Sequence, residues 1–336
     1  MTKFSRSFDV AALSAWDAAH PDNAVRELFT MWALPGAANA GNGRLRIGLR
    51  DKYLNFYVKG QSVAKLSIVA GEPTIDVHQA YVDGKARDRS PSRTKNIQSY
   101  RIFRGADLSS SDTIALLTGW ISTAETYASA EKRFVDDLVG ANAGVIDLEM
   151  ALPANKQPGE DPVAPRMDLV VVQAHKASRP AIAFWEAKCA NNPELRAKNG
   201  SPKVIGQLKK YSDWVSVGDR LSEVAVAYRN TADVFLRICR HFKDEDCTAP
   251  CGDIWRSLAN AEAPSIVSKP GIVIGTYWSE GHREEVASGR MQQCADSFQR
   301  NGHRATLENE GVAVHEVGPF DETAVLPLLP LQQVPN

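Results

Sequence analysis

The sequence predicts an α/β chain in two parts, a β-rich region over residues 1–110 and a larger region, 111–336, built around a mixed central sheet. Three observations carry this. Between residues 44 and 82 the short runs RLRIGL, KYLNFYV, SVAKLSIV and TIDVHQAYV are parted by Arg-Asp-Lys, Lys-Gly-Gln and Gly-Glu-Pro turns, as in an antiparallel meander. From 111 onward helical and strand patterns alternate in the order helix, strand, strand, strand, helix, helix, strand, which suits a layered sandwich. The run GIVIGTYW at 271–278 is continuously apolar, as expected of a strand covered on both faces.

Residues 8–33 carry helical spacing, with Pro21-Asp22-Asn23 as a break and Asn23 as an N-cap. A Gly/Asn/Ala-rich loop at 36–43 precedes the meander. Residues 83–104 form a polar stretch with seven cations (Lys85, Arg87, Arg89, Arg93, Lys95, Arg101, Arg104) against Asp83 and Asp88, and the junction between the two parts falls near 108–112. One helix is expected at 112–140, then a strand at 144–152, a loop at 153–165, a strand from Asp168, a turn at 174–180 and the strand AIAFWEAKCA. Helices at 203–217 and 222–242, the strand at 271–278, a helix at 284–301 and the strand GVAVHEV complete the pattern.

With 336 residues, 43% of them hydrophobic, the chain can fill a sizeable core, and its charged fraction argues against disorder. A formal net charge of −1 supplies no global field for a polyanion, so any nucleic-acid surface must be a local patch. The N-terminus MTKFSRSFDV lacks the apolar core of a signal peptide and no apolar run is long enough for a bilayer, so a cytoplasmic protein without membrane contact is expected. Five cysteines, an odd and sparse number, fit reduced thiols.

Chemistry concentrates on the strand 181–190. Alternation puts Ile182, Phe184, Glu186 and Lys188 on one face and Ala183, Trp185, Ala187 and Cys189 on the other. Burying a carboxylate and an ammonium there is costly without a partner such as a metal ion, although an edge-strand ion pair is the plainer explanation. Asp168 opens the apolar run of the preceding strand, and a hairpin between the two strands would bring it close to Glu186. Two such carboxylates repel unless a cation stands between them, and oxygen ligands of this kind suit Mg2+. On the helix at 203–217, Gln207, Tyr211 and Trp214 share a face beside an apolar stripe of Val204, Leu208, Tyr211 and Val215. Core packing explains the aromatics. Gln207 at the border is less expected.

Taken together, Arg166-Met167-Asp168, Phe184-Trp185-Glu186-Ala187-Lys188 and Gln207-x-x-x-Tyr211 resemble the PD-(D/E)XK superfamily, the restriction-endonuclease-like nucleases that include the RecB-type nuclease domains. The resemblance covers about residues 120–280. Met167 stands where a proline often precedes the Asp. The resemblance implies an αβββαβ core and a nuclease that hydrolyses phosphodiester bonds with Mg2+, Mn2+ substituting, held by Asp168, Glu186 and the Ala187 carbonyl. It implies that Lys188 orients water or stabilises charge, and that Gln207 and Tyr211 position phosphate or brace the site. It also points to an acid on the first helix; Glu131 lies in the stripe Tyr127, Glu131, Phe134, Leu138, where packing alone does not ask for a carboxylate.

Beside the motif, Arg196, Lys198, Lys203, Lys209 and Lys210, with Arg166, offer a patch for nucleic acid, DNA favoured over RNA, in a restriction, repair or defence setting that only the superfamily suggests. Most such charge runs are solvated loops, but proximity to the motif lifts this patch above that reading, whereas the cations at 83–104 stay near it. The N-terminal part is left for substrate binding, a protein partner or a homodimer contact. The alternative is a nucleic-acid-binding module that keeps the nuclease fold without its activity. Cys239, His241, Cys247 and Cys251 have ligand types for a structural Zn2+, but their spacing matches no standard knuckle, and zinc is the disfavoured reading. Tyr100 and Phe103 among Arg101 and Arg104 could stack bases, with strand core the commoner explanation.

Overall fold

The structure is a computed structural model and describes residues 3–37, 43–85, 100–153, 164–173, 179–196, 201–243, 246–276, 288–318 and 324–331. It is a mixed α/β chain with one antiparallel and one mixed sheet. Among the described residues, no helix is long and apolar enough to cross a membrane.

Helices α1 (Val10–Ala19) and α2 (Ala24–Thr30) are separated where expected, and Asn23 caps α2 by accepting the Arg26 N–H at 2.7 Å. Strands β1 (Leu45–Leu49), β2 (Tyr53–Val58), β3 (Gln61–Val69) and β4 (Glu72–His78) form the meander, followed by a single turn, α3 (Gln79–Val82). The polar stretch hides a fifth strand, β5 (Tyr100–Arg104), because Phe103 pairs with Ile75 and is buried, while Tyr100 stays half exposed. Arg87, Arg89, Arg93 and Lys95 lie outside the described residues.

The single helix expected at 112–140 is two, α4 (Ser111–Glu125) and α5 (Ala130–Ala141). The chain breaks because Ser129 starts a new helix, its hydroxyl accepting the Lys132 N–H at 3.3 Å. Tyr127 therefore precedes α5 and does not extend its stripe. Strands β6 (Val145–Ala151), β7 (Arg166–Gln173) and β8 (Ala181–Cys189) are antiparallel neighbours. Helices α6 (Lys203–Val215), α7 (Arg220–Phe242) and α8 (Pro250–Asn260) follow, the last not foreseen. A two-residue strand, β9 (Ser265–Ile266), pairs with the start of β8; β10 (Gly271–Gly275) runs parallel to β8, and β11 (Ala313–Val317) parallel to β10. The helix expected at 284–301 runs Arg290–Arg300, and a short helix, His303–Asn309, precedes β11.

The second sheet is covered on both faces. Phe134, Leu138 and Val139 of α5 pack with Leu169, Ala183, Trp185 and Ala187, whereas Leu208, Tyr211 and Trp214 of α6 and Tyr228 of α7 pack with Val170, Ile182 and Phe184. β10 can lie against β8 because Gly271 has no side chain, and a Cβ there would stand 2.6 Å from the Trp185 ring.

The junction at 110/111 does not divide the core. One cluster of buried side chains joins Trp32 and Phe56 of the first part to Phe235 and Trp255 of the second. Buried charge crosses as well: Asp147 of β6 accepts from Arg50 at 2.6 Å, Arg6 at 3.3 Å and the Tyr228 hydroxyl at 3.1 Å. The β2–β3 turn also reaches the second part. Lys59 and Gly60 both have positive φ, as a two-residue hairpin turn requires, and a Cβ on Gly60 would meet the Lys132 carbonyl of α5 at 2.4 Å.

Next to that turn, burial, together with the neighbouring Asp136, pushes the Asp137 carboxyl up to about 6. An acid that holds its proton more tightly when folded weakens the fold as pH rises from about 4 through 6. Asp137→Asn is therefore expected to raise stability by about 2 kcal/mol near pH 8 and to converge on wild type below pH 4. Thermal unfolding at the two pH values checks this, and an equal gain at both contradicts it.

Candidate active site

Asp168 and Glu186 meet where β7 and β8 begin to part. The ladder between them ends at the Leu169–Trp185 pair, so Asp168 faces Glu186 one step further on. There the Asp168 side chain replaces the main chain as acceptor, its Oδ2 taking the Ala187 N–H at 2.8 Å. The alternation expected for β8 is observed: Ile182 and Phe184 enter the core on the α6 side, and Glu186 and Lys188 follow them on that face.

Glu186 is 1% exposed. Its Oε1 accepts from Lys188 Nζ at 2.5 Å and from Gln207 Nε2 at 2.6 Å, whereas its Oε2 is buried with no hydrogen-bond partner. Burial raises the Glu186 carboxyl against the pull of Lys188. Burial, with the Glu186 charge added, raises Asp168 well above the usual carboxylate range. Burial alone would lower the Lys188 ammonium, but Glu186, Asp168 and Glu131 outweigh it and hold the group charged. Two acids thus face each other in a poorly solvated corner, with one lysine ammonium paired to Glu186.

Glu131 joins this group. It sits in the first turn of α5, where the helix dipole favours a carboxylate, and its Oε1 lies 3.5 Å from Lys188 Nζ. Two residues that sequence reasoning passed over complete the surroundings. Asn192 donates to Glu131 Oε2 at 2.7 Å and accepts the Glu194 N–H at 2.8 Å, and Glu194 Oε2 stands 3.5 Å from Lys188 Nζ. The signal for them was Asn-Pro-Glu directly after the strand, a capped one-turn helix (Pro193–Leu195) that read as part of a basic loop. Glu149 was also missed: it stands opposite Asp168, between the Leu148–Leu169 and Met150–Met167 pairs, with φ +51°.

The remaining expected site residues separate. Tyr211 is fully buried on Phe184, with its hydroxyl on the Val267 carbonyl at 3.3 Å, so it braces α6 and cannot reach a phosphate. Arg196 spends its guanidinium on the carbonyls of Ala190 and Asn191, at 2.6 and 3.3 Å. Lys203 and Lys210 are exposed on the Gln207 side of α6; Lys209, about 200° round the helix from Gln207, points away from it. Arg166 is exposed at the start of β7, and Lys198 lies outside the described residues. Phe103 is core, while Lys65 Nζ lies 5.0 Å above the Tyr100 ring.

The four soft ligand types do not gather. His241 pairs with Asp17, Nε2 to Oδ2 at 2.8 Å, and none of the five cysteines is in a disulfide. Among the described residues no group of three or more His, Cys, Asp or Glu stands ready to hold a metal ion. Compared with protein-family models, with curated proteins and with solved structures, the chain finds no match in any of the three.

Proposed function

We propose that the chain is a metal-dependent nuclease of the PD-(D/E)XK, restriction-endonuclease-like class, hydrolysing phosphodiester bonds in nucleic acid, with DNA favoured over RNA. The observation that carries this reading is the buried Glu186 carboxylate, set opposite Asp168, with Lys188 and Gln207 on one oxygen and no partner on the other. The element order supports it: α5, three antiparallel strands, α6 and, after α7 and α8, strands parallel to β8, with Asp168 and Glu186 facing each other just past the end of the β7–β8 ladder.

The residues fit a hard divalent cation. Asp168, Glu186 and the Ala187 carbonyl would hold Mg2+ or Mn2+ through oxygen alone, and an orphaned carboxylate oxygen beside two acids that burial raises is the electrostatic deficit such an ion relieves. Two carboxylates and a carbonyl leave room for water and phosphate oxygens, unlike a full protein cage. When bound, the ion supplies an acidified water and charge neutralisation at the phosphate.

The protein's own groups do the positioning. Gln207 fixes the Glu186 carboxylate by its amide, and Tyr211 fixes Gln207 by anchoring α6 to the segment after β9. Lys188 holds a charged ammonium at the rim of the acids, where it can stabilise the extra negative charge of a pentacovalent phosphorane. Lys203 and Lys210 lie on the side of α6 from which a phosphate backbone would approach, giving salt-sensitive affinity without sequence readout.

Incubation with plasmid, linear duplex, single-stranded DNA and RNA, each with Mg2+ and with EDTA, tests the reading. Cleavage of at least one substrate only with Mg2+ is expected. No cleavage of any substrate with Mg2+ or Mn2+ contradicts it.

A further inference from the structure

Lys188 has more carboxylate around it than one ammonium needs. Its Nζ lies 2.5 Å from Glu186, 3.5 Å from Glu131 and 3.5 Å from Glu194. Glu131 and Glu194 are in turn tied together by Asn192, whose side chain donates to one and accepts the backbone N–H of the other. Glu186 lies on β8; the other two carboxylates come from α5 and from the turn after β8. The ammonium thus sits between two acidic positions, one of them the Glu186 carboxylate, whose other, unpartnered oxygen a divalent cation would use.

We infer that Asn192 and Glu194 are positioning residues that give Lys188 a second seat. When a divalent cation enters between Asp168 and Glu186, the ammonium leaves Glu186 Oε1 and is taken up by Glu131 and Glu194. In the metal-free protein Lys188 is the cation that neutralises Glu186. On metal entry two positive charges cannot share that carboxylate, and an ammonium driven off with nowhere to go would be buried next to the ion at a large electrostatic cost. Asn192 keeps the second seat assembled: its amide holds Glu131 in place and its carbonyl fixes the turn that carries Glu194. Glu194, with a side chain 46% exposed, can take the charge without adding a buried one. The inference rests on the nuclease reading, since it needs the ion at Asp168 and Glu186.

The test is a cycle of Mn2+ binding, read by electron paramagnetic resonance of the free ion, on wild type, Glu194→Gln, Lys188→Met and the double variant. Glu194→Gln should weaken Mn2+ binding by about 3- to 10-fold, the scale of one partly screened charge contact. Lys188→Met should tighten it, because the competing cation is gone. In the double variant the loss due to Glu194→Gln should shrink to less than half on the logarithmic scale. Asn192→Ala, which removes no charge, should weaken binding in the same direction when Lys188 is present and not when it is absent. A purely structural or long-range role moves the affinity equally in both backgrounds, and that result overturns the inference while leaving the nuclease reading intact. Absence of Mn2+ binding by wild type overturns both.

Discussion

Glu186→Gln is expected to lower Mg2+-dependent cleavage by about 10^3-fold or more, the rate equivalent of several kcal/mol of lost charge stabilisation. Its unfolding temperature in EDTA should change by only a few degrees. The substitution keeps the volume of a side chain that is 1% exposed, and an amide oxygen can still accept from Lys188 and Gln207. It removes the charge that would draw a divalent ion to the oxygen now without a partner. Initial rates on whichever nucleic acid wild type cuts, measured beside a melting curve, separate the two effects. Retained cleavage shows that Glu186 is only the partner of a buried ion pair.

The largest effect on stability should come from a residue away from that site. Asp147 is 1% exposed and, among the described residues, is the acid that pairs with two buried guanidiniums, from Arg6 and Arg50, with the Tyr228 hydroxyl and its own strand's Leu148 N–H as further donors. Asp147→Ala leaves two arginines charged in the interior between the two sheets and is expected to cost about 3–5 kcal/mol. Because Arg6, Arg50 and Tyr228 belong to the N-terminal segment, the β1–β2 turn of the first sheet and α7, the loss should appear as one cooperative shift in chemical denaturation. Separate transitions for the two sheets would show that the network does not couple them.

Much of the site was legible in the sequence, because strand periodicity is short-range. Alternation alone puts Glu186 and Lys188 on one face of β8, and the turn expected at 174–180 makes Asp168 of the preceding strand the natural opposite number. Gln207 stood out for the same reason, as a polar residue at the edge of an apolar helical stripe. Other features depend on register and chain reversal, which pattern does not encode. Glu149 faces Asp168 only because of how β6 slides along β7, with an irregularity at Ile146. Asn192 and Glu194 matter only because a one-turn helix after β8 folds back over Lys188.

The expected long helix at 112–140 failed on a local contest: Ser129 capping a new helix outweighed continuity of apolar spacing, and this moved Glu131 from mid-helix to a first turn. The junction near residue 110 was placed on composition, but the core continues across it, since the partners of Asp147 lie far apart in sequence. Strand β5 was masked by its arginines, although Phe103 supplied the buried side chain that pairs it with β4.

The most direct test is cleavage of the best substrate by wild type and Asp168→Asn side by side, in Mg2+ and in EDTA. Mg2+-dependent product from wild type and none from the variant, with both proteins folded, is the result expected. Equal cleavage by the two, or cleavage by wild type that EDTA does not stop, would contradict an ion held between Asp168 and Glu186.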